Sequence, residues 1–333
     1  MVAGGVNLDV SIVGWGTVVP DARVTNRDLE ARVDTSDAWI RERTGIRERR
    51  IAAPDETTAT LGTAAAAQAI KRAGLSAADI DLMIVATATP EQPLPHTGAF
   101  IGEALGLRCG SFDLSAACAG FVYELVVGAA MRGVGYENVL IVGAETLSRI
   151  IDPEDRATIV LFGDGAGAAV LGTSSDGPGL LAWDLGCDGS AASLLEVPAG
   201  GSRQPASAQT VADRAHFLKM AGQEVFRRAV RAVVDSATAT LERAGVDAAD
   251  VAWFVPHQAN ARIIDAAANR LGFDDARSLV NIDRYGNTSS ASIPLALFEA
   301  VDDGRVRDGD LILCSGFGAG MTWASALLRW GPQ

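Results

Sequence analysis

Apolar residues along the chain follow two rhythms. Short unbroken runs, LMIVAT and WFVP among them, have the length and composition of strands buried on both faces. Between these runs apolar positions recur at helical spacing over 57–73, 217–244 and 263–271. The stretch AGFVYELVVGAAM, 119–131, is apolar nearly all round, so its helix is expected to lie buried between layers. Strands alternating with helices predict an α/β fold with largely parallel sheets covered on both faces.

The pattern also repeats. RAGLSAADIDLMIVAT from Arg72 reappears as RAGVDAADVAWFVPHQ from Arg243, 171 residues later. A second pair, GYENVLIVGAE from Gly135 and RDGDLILCSGF from Arg307, lies at a similar separation, and both feed strand-like runs. Two copies of one α/β unit are therefore expected. The Gly-, Ser-, Ala- and Pro-rich region 186–212 breaks the periodicity and reads as their connection, so we expect an N-terminal half of residues 1–185 and a C-terminal half of 186–333.

Charge narrows the partners. With 28 Lys and Arg against 41 Asp and Glu, the net charge of −13 argues against a broad affinity for nucleic acid or an anionic membrane. Four cysteines make no disulfide scaffold, and no CxxC or His-x-x-His cluster suggests metal. The first residues lack the features of a secretory signal and no run reaches the ~20 residues of a membrane span, so a cytoplasmic protein is expected.

Three residues carry candidate chemistry. Cys118 lies in FDLSAACAGF, among small residues at a helix start whose N–H dipoles favour a thiolate; read alone, a cysteine is more often inert buried filler. His257 sits in VPHQAN at the carboxyl end of a repeat strand, where α/β sheets bind ligands, although a core imidazole would look the same. His96 and His216 read as a loop and a helix-surface residue. Asn287, in DRYGNTSSAS, follows Gly286 and precedes small hydroxyl residues; it could be a simple helix cap. The repeat offset maps Cys118 onto position 289, which would bring all three to one pocket between the halves.

In order and with family-like spacing, DTSDAWIRERTGIRERR, AACAGF, FGDGAGAAVLG, VPHQANARII, YGNTSSASIP and GFGAGMTWASALLRW resemble β-ketoacyl-acyl carrier protein synthase III, from about Val10 to Trp330. The resemblance implies a thiolase-like fold, two duplicated α/β halves forming a five-layered α-β-α-β-α sandwich, as a homodimer. It implies that Cys118 takes an acyl group from acyl-coenzyme A and that malonyl-acyl carrier protein then enters and condenses with loss of carbon dioxide, initiating fatty acid or related biosynthesis. His257 and Asn287 would donate to the enolate, and the backbone N–H groups of Cys118 and Ala319 would form a second oxyanion hole. Ala319 stands where many members have Gly, and a backbone donor survives that change.

Also by resemblance, Trp39 would stack the adenine of coenzyme A, Arg43 and Arg156 would flank its nucleotide end, and Phe226 and Asn260 would line the pantetheine tunnel. Arg227, Arg262 and Arg270 would dock the acidic carrier, with Asn269 and Arg270 where a common pattern has two lysines. Leu94 would limit the acyl pocket. No tightly bound cofactor is implied; acyl-coenzyme A is a substrate.

Four other readings compete. A cysteine hydrolase would share the Cys, His and Asn inventory, but the near-whole-chain resemblance and the coenzyme A residues it implies argue against it. A dinucleotide enzyme would use Gly316, Gly318 and Gly320, but Gly-x-Gly-x-x-Gly needs glycine where Met321 stands; Gly163, Gly165 and Ala168 fit a looser form, with strand instead of helix after them. An acyltransferase passing the acyl group from Cys118 to a hydroxyl or amine without condensation is a closer rival, against which Asn287 argues. A non-catalytic partner subunit would be expected to lack Cys118.

Overall fold

The computed structural model describes residues 10–173 and 179–331. One sheet contains β1 (Ser11–Val18), β2 (Leu82–Ala86), β3 (Gly110–Leu114), β4 (Val139–Thr146) and β5 (Asp164–Gly172), in the order β1-β5-β4-β2-β3. A second contains β6 (Leu180–Cys187), β7 (Trp253–Pro256), β8 (Leu311–Gly318) and β9 (Thr322–Arg329), in the order β7-β8-β9-β6. Strand directions repeat with the order. β1, β5 and β4 are successively antiparallel and β4 is parallel to β2, just as β6, β9 and β8 are antiparallel and β8 is parallel to β7. The counterpart of β3 is reduced to a single bridge between Phe254 and Ser278.

Five layers result, as the resemblance implies. Helix α1 (Thr58–Arg72) covers the outer face of the first sheet, α2 (Gly120–Arg132) and α5 (Ser292–Asp302) fill the space between the sheets, and α3 (Gly222–Ala244) and α4 (Ala261–Leu271) cover the second sheet. The apolar circumference of α2 is explained by this position. Phe121, Val122, Leu125 and Ala129 are buried in one cluster with residues of both sheets. Close approach is built in: a Cβ on Gly120 would lie 2.9 Å from the Cβ of Ala86.

Three sequence expectations need correction. β6 pairs with β9, so the change of sheet falls before Leu180 and not between residues 185 and 186. Gly186, linker-like in its composition, is a strand residue packed under Trp323, whose ring would lie 2.3 Å from an added Cβ. The helix expected from position 217 begins at Gly222, because Lys219 and Met220 pair with Glu196 and Leu195. His216 is not on a helix; its ring meets the Thr210 hydroxyl at 2.9 Å.

Among the described residues no helix is long and apolar enough to cross a membrane.

Candidate active site

Cys118 occupies a single helical turn, Ala117–Ala119, that opens into α2. Ala117 has φ +46°, a left-handed conformation uncommon for a residue with a Cβ. The end of β8 presses against this turn. A Cβ on Gly316 would lie 3.1 Å from the Cys118 carbonyl oxygen, and one on Gly318 would lie 2.5 Å from the Cys118 nitrogen. Glycine is needed at 318 because backbone meets backbone there. The Thr322 hydroxyl bridges the Ala116 and Ala319 carbonyls at 2.9 and 3.1 Å, fastening the Cys118 turn to the Ala319 turn.

The same turn recurs in the other half. Ser289–Ala291 opens into α5, and Ser289 has φ +48°. Ala117 and Ser289 therefore correspond, and the counterpart of Cys118 is Ser290, one residue beyond the position given by the sequence offset.

His257 lies just after β7, its N–H donating to the Ser315 carbonyl at 2.8 Å and its ring edge-on to Phe317. Ring Nδ1 meets the Ser292 hydroxyl at 2.6 Å, and that hydroxyl also accepts from the Gln258 N–H at 3.3 Å. A hydroxyl already accepting one bond best serves Nδ1 as donor, which assigns the remaining ring proton to Nε2. Asn287 is fixed by two backbone bonds, its N–H to Leu161 and its carbonyl from the Gly163 N–H, at 2.8 and 2.9 Å. Gly286, at φ +66°, makes that approach possible, since a Cβ there would sit 2.9 Å from the Leu161 oxygen. The side-chain Oδ1 of Asn287 accepts from the Ser289 N–H at 2.8 Å, so Nδ2 is the end left for another acceptor.

Ser289 to Ser292 is the common frame. Within four residues it orients Asn287, packs against the turn that carries Cys118 and partners His257. Burial pushes the Cys118 thiol up to about 12 and the His257 imidazole down to about 3, so both are neutral near pH 7.

The residues expected at coenzyme A form a connected rim. The Arg156 guanidinium stacks over the Trp39 ring at 4.2 Å, Asn260 caps α4 and donates to the Arg43 carbonyl at 3.0 Å, and Arg262 lies over Phe226 at 5.7 Å. Asn260 is three residues from His257, which ties this rim to the chemistry. The RERTGIRERR run is not simply a solvated face: Arg49 is buried and donates to the Val24 and Val160 carbonyls and to Asn26 Oδ1. Asp164 of FGDGAG likewise holds loops together, accepting from the Ala52 N–H and the Ser148 hydroxyl.

Two expectations fare differently. Leu94 is 84% exposed, so within this chain it limits no acyl pocket. Arg227, Arg262 and Arg270 are exposed, but Arg227 is paired with Glu224, which reduces its free charge. Among the described residues no group of three His, Cys, Asp or Glu side chains is placed to hold a metal ion.

Two family models match the chain: 3-oxoacyl-[acyl-carrier-protein] synthase III over residues 112–189, and the C-terminal part of that family over 241–330. The β-ketoacyl-[acyl-carrier-protein] synthase III of Symbiobacterium thermophilum is 52% identical over 324 residues, covering 97% of this chain and 98% of that one. The chain belongs to the β-ketoacyl-acyl carrier protein synthase III family. The synthase III of Clostridioides difficile is 45% identical over 326 residues, with 97% and 99% coverage. Among solved structures, the synthase III of Thermus thermophilus superposes with a TM-score of 0.90 at 47% identity, over 97% of this chain and all of that one. The priming β-ketosynthase of the R1128 polyketide pathway gives 0.90 at 41% identity, over 100% and 99% of the two chains. This synthase III family member also contains site residues that sequence reasoning did not single out. Ser289 and Ser292 were visible only as small hydroxyl residues and Thr322 not at all.

Proposed function

We propose that this synthase condenses an acyl-coenzyme A primer with malonyl-acyl carrier protein, with loss of carbon dioxide, to a 3-oxoacyl-acyl carrier protein. The observation that carries the reading is the Ser289–Ser292 frame, which joins one thiol and two neutral hydrogen-bonding side chains in a buried site. Cys118 attacks the primer thioester, and its own thioester divides the reaction into two easier steps. The Cys118 and Ala319 N–H groups receive the charge of the tetrahedral intermediate. His257 Nε2–H and Asn287 Nδ2 then receive the enolate oxygen formed as the malonyl group decarboxylates. Neutral donors suit this role, because they meet the developing charge without first binding the substrate carboxylate as an ion pair.

Trp39 and Arg156 take the adenine end of coenzyme A, Arg43 the phosphates, and Phe226 and Asn260 the pantetheine arm. Arg227, Arg262 and Arg270 guide the carrier. A homodimer fits the exposed apolar side of the first sheet, where edge strand β3 presents Phe112 and the nearby chain presents Leu94 and Phe100. Leu94 reaches an acyl pocket only if a second copy packs over it.

Product analysis with acyl-coenzyme A donors and malonyl-acyl carrier protein tests this reading. Release of carbon dioxide and a 3-oxoacyl product supports condensation. Acyl transfer to an alcohol or amine, with no carbon dioxide released, overturns it.

A further inference from the structure

The duplicated half lacks the thiol and the imidazole. Aligning the repeats places Ser290 at Cys118, Ala86 at His257 and Glu145 at Phe317. Phe317 packs edge-on to the His257 ring, whereas Glu145, near the end of β4, is a carboxyl group buried at the corresponding point of the other half. A carboxyl group withdrawn from water needs donors around it. The Ala88 N–H reaches it at 3.0 Å and the Thr89 hydroxyl at 2.7 Å, both from the loop after β2. Thr89 Oγ1 accepts from the Thr146 N–H at 2.9 Å, which leaves its own proton to point at Glu145.

A further contact crosses to the other half. Ser290 Oγ lies 3.0 Å from Glu145 Oε1 and 2.9 Å from the Ala86 carbonyl oxygen, and the Ser290 N–H approaches Oε1 at 3.5 Å. There is no slack behind it: a Cβ on Gly143, also in β4, would lie 2.7 Å from the Ser290 carbonyl oxygen. The Ser290 hydroxyl has one proton for two acceptors. Both contacts are hydrogen bonds when Glu145 is protonated and donates to Ser290 Oγ while Ser290 donates to Ala86. Burial raises Glu145 above the ordinary carboxyl range, in the direction of that neutral form.

We propose that Glu145 is a positioning residue for condensation, holding the Ser289–Ser292 turn against the first sheet so that Asn287 and His257 meet the enolate oxygen together. The inference rests on the condensing function above. Ser290 sits between the two residues that orient these donors: the Ser289 N–H holds Asn287 Oδ1 at 2.8 Å, and the Ser292 hydroxyl meets His257 Nδ1 at 2.6 Å. A shift of Ser290 moves both. The Cys118 turn is fastened elsewhere, by the Thr322 hydroxyl and by the close approach of Gly318, so acylation depends little on Glu145. Glu145 acts through Ser290 and not on the reacting atoms.

Full-length Glu145→Ala, Glu145→Gln and Ser290→Ala variants test the proposal. Acylation by acetyl-coenzyme A is followed by quenched mass spectrometry, and carbon dioxide release at saturating acetyl-coenzyme A gives kcat and KM for malonyl-acyl carrier protein. Glu145→Ala should lower the condensation kcat about 100-fold, the scale of a misplaced reacting group. KM and the acylation rate should each change less than about threefold. Glu145→Gln sets an amide where the neutral carboxyl group stood, donor toward Ser290 and acceptor toward Thr89, and should keep condensation within about threefold of wild type. Ser290→Ala cuts the same link from the other side by removing only Oγ, and should slow condensation at least about tenfold; it carries the test if Glu145→Ala does not fold. The double variant should be within about twofold of the slower single one. Wild-type condensation in Ser290→Ala, equal losses in both half-reactions, or Glu145→Gln as slow as Ser290→Ala overturns the proposal. A wild-type protein that no acyl-coenzyme A acylates overturns the condensing reading itself.

Discussion

Replacing Asn287 by Asp separates the two half-reactions. Asn287 Oδ1 accepts from the Ser289 N–H at 2.8 Å, and a carboxylate preserves that bond, so the turn that carries Ser289 survives. What is lost is the Nδ2 donor. Removing one oxyanion donor costs about 100- to 1000-fold in rate, or about 2.7–4 kcal/mol, and a carboxylate also sets an acceptor against the enolate. Condensation should therefore fall by at least about 100-fold. In the proposed function, acylation of Cys118 uses the Cys118 and Ala319 N–H groups instead, and should change less than about threefold. Stopped-flow acylation with acetyl-coenzyme A and carbon dioxide release from malonyl-acyl carrier protein measure the two separately. Parallel losses in both, or condensation at the wild-type rate, would refute the assignment of Asn287 to the enolate.

Three further outcomes follow from the same structure. His257 has a folded pKa near 3 against an ordinary 6.5, so the unfolded chain binds a proton first and stability is lost as pH falls from 6.5 toward 3; between pH 7 and pH 5, stability from urea unfolding should drop less in His257→Gln than in wild type, by about 1.4 kcal/mol for each pH unit below 6.5. Trp39→Ala removes the surface under Arg156 and should raise KM for acyl-coenzyme A about tenfold with kcat little changed, since stacking on a base contributes about 1–3 kcal/mol; a lower kcat at unchanged KM would speak against adenine stacking. Arg49→Met strands the Val24 and Val160 carbonyls and Asn26 Oδ1 and should cost at least about 3 kcal/mol by denaturant unfolding, whereas an unchanged midpoint would show that these acceptors find other partners.

Much of the architecture was legible because duplication leaves a mark that no single element does. The RAG–strand pairs at 72 and 243 anticipated corresponding helix ends and strands, and the apolar circumference of α2 anticipated its place between sheets. The domain change was misplaced because Gly186 looks like linker composition, when it is small to admit the Trp323 ring. At the site, Cys118, His257 and Asn287 were readable as residue types at strand and helix ends. Their pairing was less so, because duplicated positions have diverged: His257 corresponds to Ala86, and Cys118 to Ser290. The contact between Ser290 and Glu145 crosses the two halves, which periodicity along one chain does not register. Leu94 shows the limit of resemblance, since its exposure is a property of the folded single chain.

The most direct test of the central claim is the intact mass of the protein after mixing with acyl-coenzyme A donors and then with malonyl-acyl carrier protein. The account predicts a single acyl adduct on wild type, none on Cys118→Ala, and its discharge as a 3-oxoacyl product when the malonyl carrier is added. An adduct that persists on Cys118→Ala, or one that the malonyl carrier leaves in place, would contradict it.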